Sequence, residues 1–195
     1  MSRGTALIYR ETGEIIGVRS GAIANIQIDI DKNNGRGIFV ESSDVPEDTD
    51  AYYVSDDGVL TPKGAQPSEG HVFNYSTEQW ELDLDLARSK KWRAIKLARK
   101  AQELSTFEWN THTFQCDEDS QMRIQSAVQA ALIDDGLSMV WTLADNTTQT
   151  FTATQIKQIG QALANHVNAC HERGRILRQQ IQAATTQEEL EAIAW

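Results

Sequence analysis

Cysteine, basic charge and long apolar runs are all scarce in this chain of 195 residues. Its two cysteines, Cys116 and Cys170, are too few for a disulfide framework, so reduced thiols and cytoplasmic synthesis are the expectation. The opening MSRGTALIYRETGEIIG lacks the apolar core of a signal peptide. No stretch approaches the ~20 apolar residues that cross a bilayer, which excludes a membrane-spanning role. The sequons at Asn74-Tyr75-Ser76 and Asn146-Thr147-Thr148 carry little meaning without secretion.

Lysine and arginine number 18 against 28 aspartates and glutamates, a formal net charge of -10. Phosphate neutralisation requires a basic face, so nucleic acid is not an expected partner. The deficit is uneven. Residues 1–86 carry 6 basic and 16 acidic side chains, whereas residues 87–195 carry 12 of each and are neutral. Hydrophobic residues make up 40% of the chain, enough for a packed core in one sizeable domain or two small ones.

What is present divides at about residue 70. Residues 6–10 and 14–18 flank Thr12-Gly13 as a hairpin. In residues 24–30, Ile26, Ile28 and Ile30 alternate with polar positions, the period of a half-buried strand. Asn33-Asn34-Gly35 tolerates positive φ and supplies a turn, after which residues 37–40 return as the partner strand. Residues 51–54 and 59–61 enclose Asp56-Asp57-Gly58, and Pro62, Gly64, Pro67 and Gly70 then mark a loop. Residues 73–84 alternate aromatic and polar side chains, consistent with either a last hairpin or an extended connector.

From Leu86 the pattern turns helical, with Trp92, Ile95, Leu97, Ala98, Ala101 and Leu104 among lysines and arginines. Two hairpin-then-helix repeats follow. In the first, Asn110-Thr111-His112 turns between residues 107–109 and 113–115, and Asp117 caps a helix whose apolar face is Ile124, Ala127, Val128, Ala131 and Leu132. In the second, Gly136 ends that helix, residues 139–143 and 148–151 pair, and Thr152-Ala153-Thr154-Gln155 is a capping box. It opens a helix of roughly 28 residues, a length that favours packing on several neighbours or another subunit. Its stripe is Ile156, Ile159, Gly160, Leu163, Val167, Cys170, Gly174, Leu177 and Ile181. Thr186-Gln187-Glu188-Glu189 caps a short last helix.

Chemical motifs are weak. His112-x-x-x-Cys116 and His166-x-x-x-Cys170, with His171 to spare, have spacings a zinc ion could use. Cys170 nevertheless lies on the apolar stripe, where a free cysteine behaves as a small hydrophobe, and there is no CxxC pair. Asp29-x-Asp31-x-Asn33 starts like a calcium loop, but Asn34 stands where glycine is needed and Val40 where a glutamate belongs. Gly35-Arg36-Gly37 lacks the rest of a phosphate loop, and no serine sits in a G-x-S-x-G elbow. The basic run Arg88, Lys90, Lys91, Arg93, Lys96, Arg99 and Lys100 fits an acidic domain or subunit better than RNA. Neither catalytic residues, nor a cofactor site, nor a metal site is assigned.

Several motifs carry a family resemblance: Trp92 with Ile95-Lys96 and Arg99, Phe107-x-Trp109 with His112-x-Phe114, Asp119-Ser120-Gln121, and Trp141 with Ala144-Asp145-Asn146. His166-Val167, Ile181-x-Ala183-Ala184-Thr185 and Glu189-Leu190-x-Ala192-Ile193 continue the series. On these, residues 91–194 resemble a family of domains at the end of tailed-bacteriophage tail and tail-fibre-associated proteins. The chain departs from that pattern at Thr111, where glycine would complete an Asn-Gly turn, and at Cys116. The front portion, with Tyr52-Tyr53-Val54, Gly58-Val59-Leu60, Pro67 and Phe73-x-x-x-Thr77-x-x-Trp80, is similar to hairpin-rich parts of tail and fibre-assembly proteins.

The resemblance brings no catalytic residues with it. It implies a non-enzymatic structural component of a tailed-phage virion, in the tail, baseplate or fibre attachment, made in the host cytoplasm and oligomeric in the assembly. Its partners would be other tail, baseplate or fibre proteins; the alternative is a tail-fibre assembly chaperone not retained in the virion. Trp80, Trp92 and Trp195 are the candidate interface anchors, since aromatic side chains dominate buried contacts. The fold class expected is α+β, with a small antiparallel β domain (1–70), a connector (71–90) and a helical domain with two β-hairpins (91–195).

Overall fold

The near-continuous apolar run Ala6-Leu7-Ile8-Tyr9 belongs to a strand covered on both faces. In the computed structural model, which describes residues 2–195, it lies in β1 (Arg3–Tyr9), the middle of an antiparallel sheet. β2 (Ile15–Ala22) and β3 (Gly37–Val40) flank it in the order β2-β1-β3. Ala6 and Ile8 on one face meet Ile26 and Ile30, while Leu7 on the other meets Ile15 and Val54. Thr5, also buried, is satisfied by the hydroxyls of Ser20 and Ser42, each 3.0 Å away.

Residues 24–30 correct the sequence reading. They belong to a helix, α1 (Ile23–Lys32), not a strand. Isoleucine at every second position satisfies a strand, but Ile26 and Ile30 also stand four apart on one helical face. Both edges of β1 are already occupied, so the segment buries these two on the sheet face and leaves Ile28 51% exposed. Asn33-Asn34-Gly35 consequently ends a helix instead of closing a hairpin. Asn34 and Gly35 take φ of 58° and 76°, and the Gly35 amide donates to the Ile30 carbonyl at 2.9 Å. β3 pairs with β1, with Ala6 opposite Phe39, rather than with residues 24–30.

The turn after β1 shows why Gly13 is glycine. Its φ is +89°, and a Cβ there would sit 2.2 Å from the Val54 carbonyl oxygen. That approach lets the Val54 amide donate to the Gly13 carbonyl at 2.9 Å. The hairpin expected around Asp56-Asp57-Gly58 is β4 (Tyr52–Val54) with β5 (Leu60–Pro62). Residues 73–84, open between two readings, contain most of a hairpin, β6 (His71–Asn74) with β7 (Gln79–Leu82). Phe73 is its centre, with ring centroids of Tyr53, Tyr75 and Trp80 at 4.9, 5.2 and 5.4 Å. The chain divides into two units, Met1–Ala87 and Arg88–Trp195, so this hairpin belongs to the first unit. The division falls in the first turn of α2 (Leu84–Glu103).

The second unit alternates hairpins and helices. β8 (Thr106–Trp109) and β9 (His112–Gln115) precede α3 (Glu118–Ile133); β10 (Ser138–Thr142) and β11 (Thr148–Thr152) precede α4 (Ala153–Ala183), and α5 (Gln187–Ala192) follows. The fold class is thus mixed α and β, antiparallel strands first and a helical part with small hairpins after. Phe107, Phe114, Cys116, Ile124, Ala127, Ala131, Phe151, Ile156, Ile159 and Leu163 form its core. Burying a phenylalanine such as Phe114 or Phe151 contributes about 1.5–3 kcal/mol. The apolar face of α3 is narrower than its sequence suggests, because Leu132 is 67% exposed. α3 meets α4 at Gly160, where a Cβ would stand 2.5 Å from a Val128 methyl.

Candidate functional site

Several polar side chains of the second unit end helices. Asp117 accepts from the Ser120 amide at 2.9 Å and from its hydroxyl at 2.7 Å; these bonds hold its carboxyl below the ordinary aspartate value. Thr152 and Gln155 form the reciprocal capping box that the sequence predicts, at 3.4 Å and 2.9 Å. Glu189, bonded to Thr185 and its amide, is likewise held low. The C-terminus of α4 has a cap the sequence did not reveal. The Arg88 guanidinium donates to the Ala184 carbonyl through Nε and Nη2 at 3.3 and 2.8 Å. A residue 96 positions away leaves no local signal, and the basic run of α2 was read as fitting an acidic domain or subunit instead.

Other members of the basic run bond within the second unit. Lys91 donates to the Glu191 carbonyl at 3.3 Å, and Lys100 meets Glu118 at 2.9 Å. The latter bond raises the lysine pKa and lowers that of the glutamate. Arg99 lies beside Gly174, with its Nε buried and unbonded.

The two His/Cys pairs are placed as packing residues. Cys116 is fully buried and Cys170 nearly so, and both are free thiols. Burial raises both thiol pKa values, which disfavours the thiolate that nucleophilic attack or zinc ligation requires. His112 stacks on Trp109 at 6.4 Å and meets Phe151 edge-on at 5.5 Å. His166 Nε2 donates to the Gln102 carbonyl at 3.1 Å, and His171 Nε2 lies 3.5 Å from Glu103. Among the described residues there is no group of three or more His, Cys, Asp or Glu able to hold a metal ion.

The three candidate anchors are half-buried and engaged within their own units. Trp80 donates its indole N–H to the Lys63 carbonyl at 2.9 Å. Trp92 carries the Arg178 guanidinium over its ring at 5.3 Å, and Trp195 carries that of Arg173 at 5.1 Å. The structure also shows apolar surface that sequence reasoning missed. An open groove runs between α3 and β10, where Met122, Met139, Val140 and Trp141 stand among polar side chains such as Asp119 and Arg123. Met122 is 59% and Val140 70% exposed. Val140 lies between Met139 and Trp141 in a strand, so it faces away from the side on which those two pack against the core.

The second unit is therefore a capped helix-and-hairpin module with a groove of mixed apolar and polar lining. Residues 86–194 match the family model described as Domain of unknown function (DUF4376), and the chain belongs to that family. No curated protein sequence and no solved structure matches it.

Proposed function

We propose that this protein is a structural component of a tailed-phage virion, in the tail, baseplate or fibre-attachment region, and that it acts by protein–protein assembly without catalysis. The observation that carries this reading is the ordered series of motifs between Trp92 and Ile193, which resembles tail and tail-fibre-associated domains. Two features of the second unit support it. Several of its ionisable side chains, such as Arg88 and Asp117, cap helices, and burial raises the pKa of both thiols. Two of its exposed apolar side chains, Met122 and Val140, line the α3–β10 groove, where Met122 and Met139 supply adaptable contact surface.

Such a protein works by burying surface against neighbours. A standard interface of roughly 1,600 Å2 would enclose the groove, with Trp141 beside it and the half-exposed Trp80, Trp92 and Trp195 as further anchors. The test compares gradient-purified particles with the soluble lysate in cells expressing the gene from its own genome. Co-sedimentation with particles supports a virion component. Presence in the lysate alone favours an assembly chaperone that leaves before maturation.

A further inference from the structure

The first unit carries an unguarded sheet edge. β3 is the last strand in the order β2-β1-β3, so one row of its backbone N–H and C=O groups has no strand partner. Folded proteins protect such edges with charge, proline or a bulge. The opposite edge, β2, has such protection: Arg19 lies on it, donating to the Val18 carbonyl at 3.1 Å and pairing with Asp29 at 3.5 Å. β3 is Gly37-Ile38-Phe39-Val40, with no charge and no proline.

An open groove of about 590 Å3 lies where the C-terminal end of β3 meets the start of β1, lined by Phe39 and Val40 of the edge strand. Phe39 stands opposite Ala6, on the sheet face that α1 covers, and both it and Ile23 at the start of α1 border the space above Gly4, 3.6 and 3.3 Å from where a Cβ there would stand. Yet Phe39 is 46% and Ile23 41% exposed, so the α1 layer stops short of the edge. An added strand would cover both. Arg36, just before the strand, is paired with Glu11 at 3.1 Å, and the chain that follows the strand is acidic. Between Arg36 and Lys63 the chain holds Glu41, Asp44, Glu47, Asp48, Asp50, Asp56 and Asp57 and no basic residue. Glu41 and Asp44 line the groove itself, with Arg3 as its one basic wall.

We propose that β3 is a docking edge for an extended, basic segment of a partner protein. The segment adds as a fourth strand, inserts an apolar side chain against Phe39 and Ile23, and presents lysine or arginine to Glu41 and Asp44. Backbone pairing supplies the register, the apolar contact the anchor, and the carboxylates the sign selection. The inference stands on the first unit alone and survives failure of the virion reading.

The test is an NMR titration of the full chain with an end-blocked (Lys-Val)4 peptide. Controls are the same peptide N-methylated at alternate residues, which removes its ladder hydrogen bonds, and a (Glu-Val)4 peptide. The expected result is amide shifts centred on residues 37–44, with affinity at least tenfold weaker for either control. Phe39→Ser and, separately, Asp44→Lys should each weaken binding at least threefold. Both positions are exposed, and an otherwise unchanged amide spectrum shows that each variant is folded. Absence of shifts, shifts centred elsewhere, or equal binding by the N-methylated peptide would overturn the proposal.

Discussion

Single residues in this chain are fixed by contacts their neighbours in sequence do not announce. Gly13 could be read as a turn residue, but not that its missing Cβ admits the Val54 carbonyl. Gly13→Ala should therefore cost about 2 kcal/mol or more, from left-handed backbone strain plus the backbone clash. Urea unfolding measures it, and a loss below about 0.5 kcal/mol would show that the contact is not tight.

Titration gives a second residue-scale prediction. Cys116, Cys170 and Tyr53 all have pKa values raised above their ordinary ones, first by desolvation, with Tyr53 also held by its bond to Glu78. Each contributes stability that is fully present below its ordinary value and is lost as pH rises through the raised one. Melting temperature should accordingly fall above pH 9, the ordinary thiol value, and fall less steeply in Cys116→Ala. On the acid side Asp117 is lowered, so its contribution is present above the ordinary carboxylate value and lost as pH falls through the lowered one. Asp117→Asn keeps an acceptor for the Ser120 amide while removing the charge, and should flatten the acid limb of the stability profile.

At the scale of elements, legibility tracked locality. The Thr152 capping box, the Asp117 cap, three of the four later hairpins and the stripe of α4 are all written within a few residues, and the structure has each where its residues place it. α1 was misread because Ile26, Ile28 and Ile30 fit two periods, and the choice between them depends on β1 already having two strand neighbours. The Arg88 cap was invisible for the same reason, being non-local. Two substitutions compare these cases. Thr152→Ala should cost about 1 kcal/mol, the usual loss of an N-cap side chain. Arg88→Met keeps the stem but removes both donors to Ala184, and should cost about 1–2 kcal/mol. Denaturant midpoints measure both, and an unchanged midpoint in Arg88→Met would mean that water replaces the cap.

For the whole molecule, the sequence supplied the uneven charge and the family motifs, but neither groove. Exposure of Phe39, Met122 and Val140 follows from where neighbouring elements stop, which composition and periodicity do not encode. The assembly reading makes a further prediction about the intact chain. With the His and Cys side chains committed to packing and hydrogen bonds, chelator should leave the melting temperature unchanged, and elemental analysis should find no stoichiometric zinc. A chelator-induced drop of several degrees would reopen the metal reading.

The claim that this is an assembled virion part is tested most directly by absolute quantification of the protein in purified particles by mass spectrometry. The account predicts a fixed number of copies per particle, the same in independent preparations and resistant to salt washing. Absence from particles while the protein is abundant in the lysate would contradict it.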